Sequence, residues 1–274
     1  MKTSPRSRRA AQLAIAALPL WAASAWADPS PALDRVSVWL GGYQADIKGY
    51  ASLKSADGTF DTGEQRVLEG RNTVQRARLD WLLMDSQGFS IDYFRLDSKK
   101  TGSVSQPFTF NGVNYGLSAS LASETTADVG NVSYRWWFGG GNDRSVFGVG
   151  VGGAYYHLKL GLEGDVSGAG LTYTGFQSYS TSAWAPLLTL GYRYQVTDGV
   201  RLYADFSGSR KNGNNTASIV NAAAGVEWFP WKNIGVGLEY AGSRVRYKKT
   251  DSDGNEGRIN LDLSGPAAYL RLRF

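Results

Sequence analysis

His157 is the only histidine of the 274-residue chain, and there is no cysteine. Those two counts bound the available chemistry. A thiolate nucleophile, a disulfide framework and a lipid-bearing cysteine anchor are excluded, and zinc has no ligand set, because its sites draw on several His and Cys side chains. A histidine activates a hydroxyl when the two stand within hydrogen-bond reach, which on one face of a strand means positions two apart. Tyr155 precedes His157 by two positions and Lys159 follows it by two, so neither side supplies a serine or an aspartate. Asp251, Asp253, Asn255 and Glu256 make an oxygen-rich stretch, but Gly254 and Gly257 flank the position at which an EF-hand loop needs its glycine. That stretch fits a solvated hairpin tip, and no cofactor is expected.

A second set of charged residues is more informative: Asp92, Arg135, Arg193, Arg201, Asp205, Glu227, Glu239, Arg271 and Arg273. All fall at positions predicted to face the interior of a closed sheet, and Arg76, Arg78 and Asp80 join them if their strand keeps its alternation. Charges inside a narrow barrel must be paired or hydrated, since burying them alone costs several kcal/mol. They form either a salt-bridged plug that fills the lumen or a charged constriction in a narrow channel.

The chain must first reach a membrane to need such an interior. Lys2, Arg6, Arg8 and Arg9 precede an apolar stretch from Ala10 to Ala23, followed by Ala25-Trp26-Ala27. This is the layout of an export signal with an A-x-A cleavage site, which predicts a signal peptide over 1–27 and a mature domain over 28–274. Losing those four basic residues lowers the net charge from +5 to +1. The basic balance therefore belongs to export, and nucleic acid is not an expected partner. No later stretch approaches the roughly 18 to 20 apolar residues of a membrane helix, so any membrane crossing must use strands. The 34 glycines and the 9 Trp, 15 Tyr and 11 Phe suit a closed sheet whose outer face meets lipid.

Turn signals divide the mature chain. Asp57-Gly58, Asn111-Gly112, Gly168-Ala169-Gly170, Asn212-Gly213 and Asp253-Gly254 alternate with tighter connections at 85–88, 139–144, 197–199 and 230–233. Nine turns predict ten strands, approximately 35–56, 59–84, 88–110, 113–138, 145–167, 171–196, 200–211, 216–229, 234–252 and 255–274. The short turns would face the periplasm and the long hairpins the exterior. Trp184, Pro186, Leu188, Leu190, Tyr192 and Tyr194 alternate with Ala185, Leu187, Thr189, Gly191 and Arg193, and the apolar set is expected to face lipid. Zipping outward from Phe110 opposite Val113 pairs Asp92 with Asn131 and Ile91 with Val132, so like meets like. In 146–160 a constant alternation would put His157 and Lys159 on the lipid side, so a bulge near Gly152-Gly153 is expected to switch the faces. The interior glycines Gly191, Gly225, Gly235 and Gly237, with Ala223, create space locally, either for a thin path or small ligand pocket or to match the volume of arginines across the lumen.

Phe274 closes the chain, with Leu272, Leu270 and Ala268 at alternate positions before it and Arg273, Arg271 and Tyr269 between. This ending resembles that of the outer-membrane β-barrel proteins of Gram-negative bacteria. The resemblance implies an all-β antiparallel transmembrane barrel in the cell outer membrane. It also implies that Phe274, Leu272 and Leu270 serve as an assembly signal read by the barrel-assembly machinery, with outer-membrane lipids and lipopolysaccharide as further partners. Among such barrels, the omptin proteases need an Asp-x-His pair, and the lipid A 3-O-deacylase and phospholipase families a His-x-Ser; His157 stands in neither. The expected function is a non-enzymatic structural or surface-binding barrel with a mostly closed lumen. A narrow channel for small solutes is the alternative, and a lipid-modifying or proteolytic enzyme the second alternative. Phe108, Phe110 and Tyr115 on one tall hairpin and Tyr173, Phe176 and Tyr179 on another offer a candidate recognition surface.

Overall fold

The computed structural model describes residues 29–54, 65–103, 108–110, 113–115, 120–139, 143–168, 171–213, 215–250, 254 and 256–274. The expected signal peptide lies outside the described residues. Twelve strands follow in chain order: β1 (Val36–Lys54), β2 (Gln65–Met84), β3 (Gln87–Ser103), β4 (Phe108–Phe110), β5 (Val113–Tyr115), β6 (Ser120–Phe138), β7 (Ser145–Gly168), β8 (Leu171–Thr197), β9 (Val200–Lys211), β10 (Asn215–Trp228), β11 (Ile234–Thr250) and β12 (Glu256–Arg273).

Ten of them close into an antiparallel barrel, while β4 and β5 pair as a separate ribbon beyond the β3–β6 hairpin. Each barrel strand hydrogen-bonds its chain neighbours, and β12 returns to β1. The seam ends in two backbone bonds, from Val36 N–H to the Phe274 carbonyl (3.1 Å) and from Phe274 N–H to the Val36 carbonyl (2.8 Å). Gly213 and Gly254, in two of the predicted turns, take positive φ values of 135° and 84°, a region in which glycine carries no steric penalty.

The register follows the alternation. Asp92 lies opposite Asn131 and Ile91 opposite Val132, and the same offset continues to Ser103 opposite Ser120 and resumes at Phe110 opposite Val113. The bulge expected at Gly152-Gly153 is absent. β7 pairs with β6 and β8 without a slip, placing Gly152 opposite Ser133 and Leu187, and Gly153 opposite Val132 and Pro186. His157 and Lys159 therefore stay on the outer face.

That face is legitimate for them because the wall inverts its polarity along its height. Near the short turns the outer face is apolar: Trp184, Leu188, Leu238, Tyr240 and Leu270 are each about 60% exposed. On β8 the apolar outer run extends from Val196 back to Trp184, which at about 3.3 Å per residue and a tilt of about 40° spans roughly 30 Å, the thickness of a hydrocarbon core. Beyond it the outer face carries Lys48, Arg95, Asp97, His157, Lys159 and Arg244. At the same height the interior turns apolar. One buried cluster joins Ala45, Ile47, Val74, Leu96 and Leu263, and another joins Val129, Ala154, Tyr156, Leu187 and Ile219. A wall in lipid hides its polar side, whereas the same wall in water hides its apolar side. The closed barrel with its single apolar belt is thus an integral outer-membrane protein.

The interior glycines answer to aromatic rings, not to arginines across the lumen. A Cβ on Gly237 would lie 2.1 Å from the Tyr269 ring, on Gly235 2.6 Å from Phe229, on Gly225 2.8 Å from Tyr203, and on Gly191 2.9 Å from Trp137. Each ring comes from another part of the wall and occupies the space a Cβ would need, so only glycine leaves room. Gly237→Val is therefore expected to overpack the wall and cost about 1–3 kcal/mol. Urea unfolding of the purified barrel, followed by the gel mobility shift between folded and boiled protein, would measure it.

Candidate functional site

Inward-facing side chains of eight strands converge on the lumen, and the structure places all of the predicted charged residues there. Three linked clusters result. In the first, Asp205 of β9 faces three guanidiniums: Arg78 of β2 at 2.7 Å, Arg193 of β8 at 2.8 Å and Arg135 of β6 at 3.0 Å. Arg78 also holds Asp80 at 2.9 Å. In the second, Arg76 of β2 bridges Asp92 of β3 (2.6 Å) and Glu239 of β11 (2.8 Å), while Tyr203 donates its hydroxyl to Glu239. The Trp39 ring packs beneath Arg76, 4.7 Å from ring centre to guanidinium carbon.

The third cluster lies at the mouth on the short-turn side and contains a residue that sequence reasoning missed. Asp34, just before β1, takes two 2.8 Å bonds from Arg201 of β9 and one of 2.9 Å from Arg271 of β12. Arg271 also bonds Glu227 of β10 (2.6 Å), as does the Tyr269 hydroxyl (2.8 Å). Arg201 is fully buried and Glu227 1% exposed. Arg273 packs over the Phe229 ring at 3.7 Å. Asp34 brings its segment with it: Ser30 and Ala32 are buried, and the Ser30 hydroxyl donates to the Asp143 carbonyl across the mouth (2.6 Å). Burial alone would push the Asp34 carboxyl up, but Arg201 and Arg271 outweigh it and hold it below the usual carboxylate range. A lone carboxylate immediately before the first strand was the available signal.

Seven arginines thus meet six carboxylates, a near-neutral filling. Between this filling and the apolar layer lies a polar cavity of about 50 Å³, edged by Tyr43, Arg76, Asp92, Asn131 and Ser243. A volume of that size holds a few water molecules.

The register also assembles a constellation that no single strand could reveal. Asp128 of β6 lies opposite His157, and His157 opposite Ser182 of β8, all three on the outer face just beyond Tyr155 and Trp184. The types are those of a nucleophilic triad. No hydrogen bond joins them, however: Asp128 accepts from the Tyr93 hydroxyl (2.6 Å) and sits 3.6 Å from Arg95. The neighbouring backbone N–H groups are taken up by the sheet, leaving no pair of donors for an oxyanion. Asp251, Asp253 and Asn255 lie outside the described residues, as do the side chains of Phe108, Phe110, Tyr115, Tyr173, Phe176 and Tyr179. Phe274, Leu272 and Leu270 stand on the lipid-facing side of β12.

No family model and no curated protein matches the sequence. Among solved structures, the chain is similar to the outer membrane protease OmpT from Escherichia coli, at 12% identity over 87% of this chain and 96% of that one, with a TM-score of 0.57. Outer membrane protein OprG from Pseudomonas aeruginosa also matches, at 11% identity over 88% and 98%, with a TM-score of 0.40. At these identities the likeness is one of fold.

Proposed function

We propose that the chain is a non-enzymatic outer-membrane barrel with a closed lumen, acting as a structural element or through its extracellular surface. The carrying observation is the continuous filling of the interior: three linked ion-pair clusters capped by the 29–35 segment on one side and by an apolar layer on the other. Ten strands sit near the closed end of barrel widths, so side chains suffice to fill the lumen. Phe274, Leu272 and Leu270 present the last strand to the assembly machinery in this reading. The polar cavity supports a second reading, a narrow path for small solutes.

Planar-bilayer recording separates the two. The closed barrel gives no stable single-channel steps, and steps altered by Arg135→Ala or Arg193→Ala would overturn it. Hydrolysis of ester-linked acyl chains or of peptides by the purified barrel, lost in His157→Ala, would overturn the non-enzymatic reading.

A further inference from the structure

The outer wall between β8 and β11 carries an apolar groove of about 600 Å³. Its floor is Ala204, Ala222 and Ala224, three outward-facing alanines on β9 and β10. Its walls are Tyr192 and Phe206 on one side and Tyr240 on the other. A wall that only had to meet fluid lipid would need no such relief. Small residues flanked by three aromatics instead shape an apolar slot in the wall.

Directly beyond the groove the outer face turns basic. Arg210 of β9 and Arg246 of β11 both stand opposite Ser218 of β10, so their backbones lie about 10 Å apart across one intervening strand. Long side chains from both can reach a single phosphate between them. They stand four residues beyond Ala222, about 13 Å along the strand. Arg244, Lys248 and Arg258 extend the patch. Arg244 is paired with Asp262 (2.7 Å) and Lys248 with Glu256 (2.5 Å), whereas among the described residues Arg210 meets only the neutral Asn212 side chain (2.9 Å) and Arg246 makes no ion pair. The opposite sector is balanced: Arg95 meets Asp97 and Asp128, and Lys99 meets Glu124. Among the described residues, Arg210 and Arg246 thus stand above the groove without an acidic partner.

We propose that this wall binds one molecule of a phosphorylated, acylated glycolipid of the outer leaflet, with an acyl chain in the alanine-floored groove and a phosphate between Arg210 and Arg246. Charge complementarity selects the headgroup, and the groove selects a chain attached to it. A free phosphate would use the arginines but leave the groove unused.

Native mass spectrometry of the intact, delipidated barrel in detergent tests this. The probes are bis-phosphorylated lipid A, its dephosphorylated form, phosphatidylethanolamine and inorganic phosphate. One lipid A per barrel is expected to be retained, with dephosphorylated lipid A and phosphatidylethanolamine at least about tenfold weaker, the scale of one lost charge-assisted contact. Arg210→Gln with Arg246→Gln, and separately Ala222→Phe, should each weaken lipid A by about the same factor, while Arg95→Gln leaves it unchanged. Gel mobility of unboiled samples confirms that each variant is folded. Equal retention of the phosphorylated and dephosphorylated lipids, which requires no variant, would overturn the proposal. So would full competition by inorganic phosphate, or lipid A binding indifferent to Ala222→Phe.

Discussion

Asp205→Asn is expected to destabilise the barrel by about 3–5 kcal/mol, the cost of stranding a buried charge. Asp205 is the one carboxylate that Arg135 and Arg193 reach among the described residues, and it shares Arg78 with Asp80. Both orphaned guanidiniums are buried, so neither can turn to solvent. Asparagine keeps the shape and can accept one hydrogen bond, but supplies no counter-charge. Urea unfolding in detergent micelles, read by tryptophan fluorescence, measures the loss. Adding Arg135→Gln should restore part of it, because removing both members of a buried pair costs less than removing one. Unchanged stability would mean that the arginines are hydrated, and the closed-lumen reading would fail with it.

Asp34→Ala is expected to release the 29–35 segment from the mouth. Arg201 and Arg271 would lose the carboxylate that both bind, and ahead of Arg35, which Asp85 and the Leu82 N–H still hold, the segment would keep only the Ser30 bond to Asp143 and a long Arg201 bond to the Pro31 carbonyl among the described residues. The anticipated signature is brief, anion-preferring conductance in planar bilayers where the parent protein is silent, together with proteolytic cleavage ahead of Val36. The apolar layer beyond the charged clusters should keep these openings small. Acid should imitate the substitution only weakly. Because the Asp34 carboxyl is held below its ordinary value of 3.8, its contribution to stability is fully present above that value and is lost as pH falls through the lower folded value. The segment should therefore stay docked at pH 5. Release at pH 5 would show that Asp34 is not the latch.

Much of this protein was legible without coordinates because lipid imposes a strict code. A strand in a bilayer must alternate apolar and polar residues and must close its sheet, so Trp184 to Tyr194, Ile234 to Tyr240 and Ala268 to Phe274 announce both their faces and their neighbours. Beyond the belt that constraint ends. Tyr156 turns inward and His157 outward, which the lipid rule, extended along the whole of β7, reads as a phase error. The need for a bulge disappears once the wall is seen to leave the membrane.

The glycines failed for a different reason. Gly237 and Gly225 do sit inside, as alternation requires, but the ring each one accommodates belongs to another strand and is set by stagger around the barrel. Register decides such contacts, and adjacent residues do not encode it.

The sequence by itself determined the barrel, its ten spans, the inward direction of its arginines and carboxylates, and the terminal strand that closes on Phe274, all of which follow from a period of two in a nonpolar solvent. Only the tertiary structure decided which charge meets which. Asp34 lies far in sequence from Arg201 and Arg271, and Asp205 gathers arginines from three other strands. Closure of the sheet fixes those distances, and with them whether the lumen is a channel or a plug.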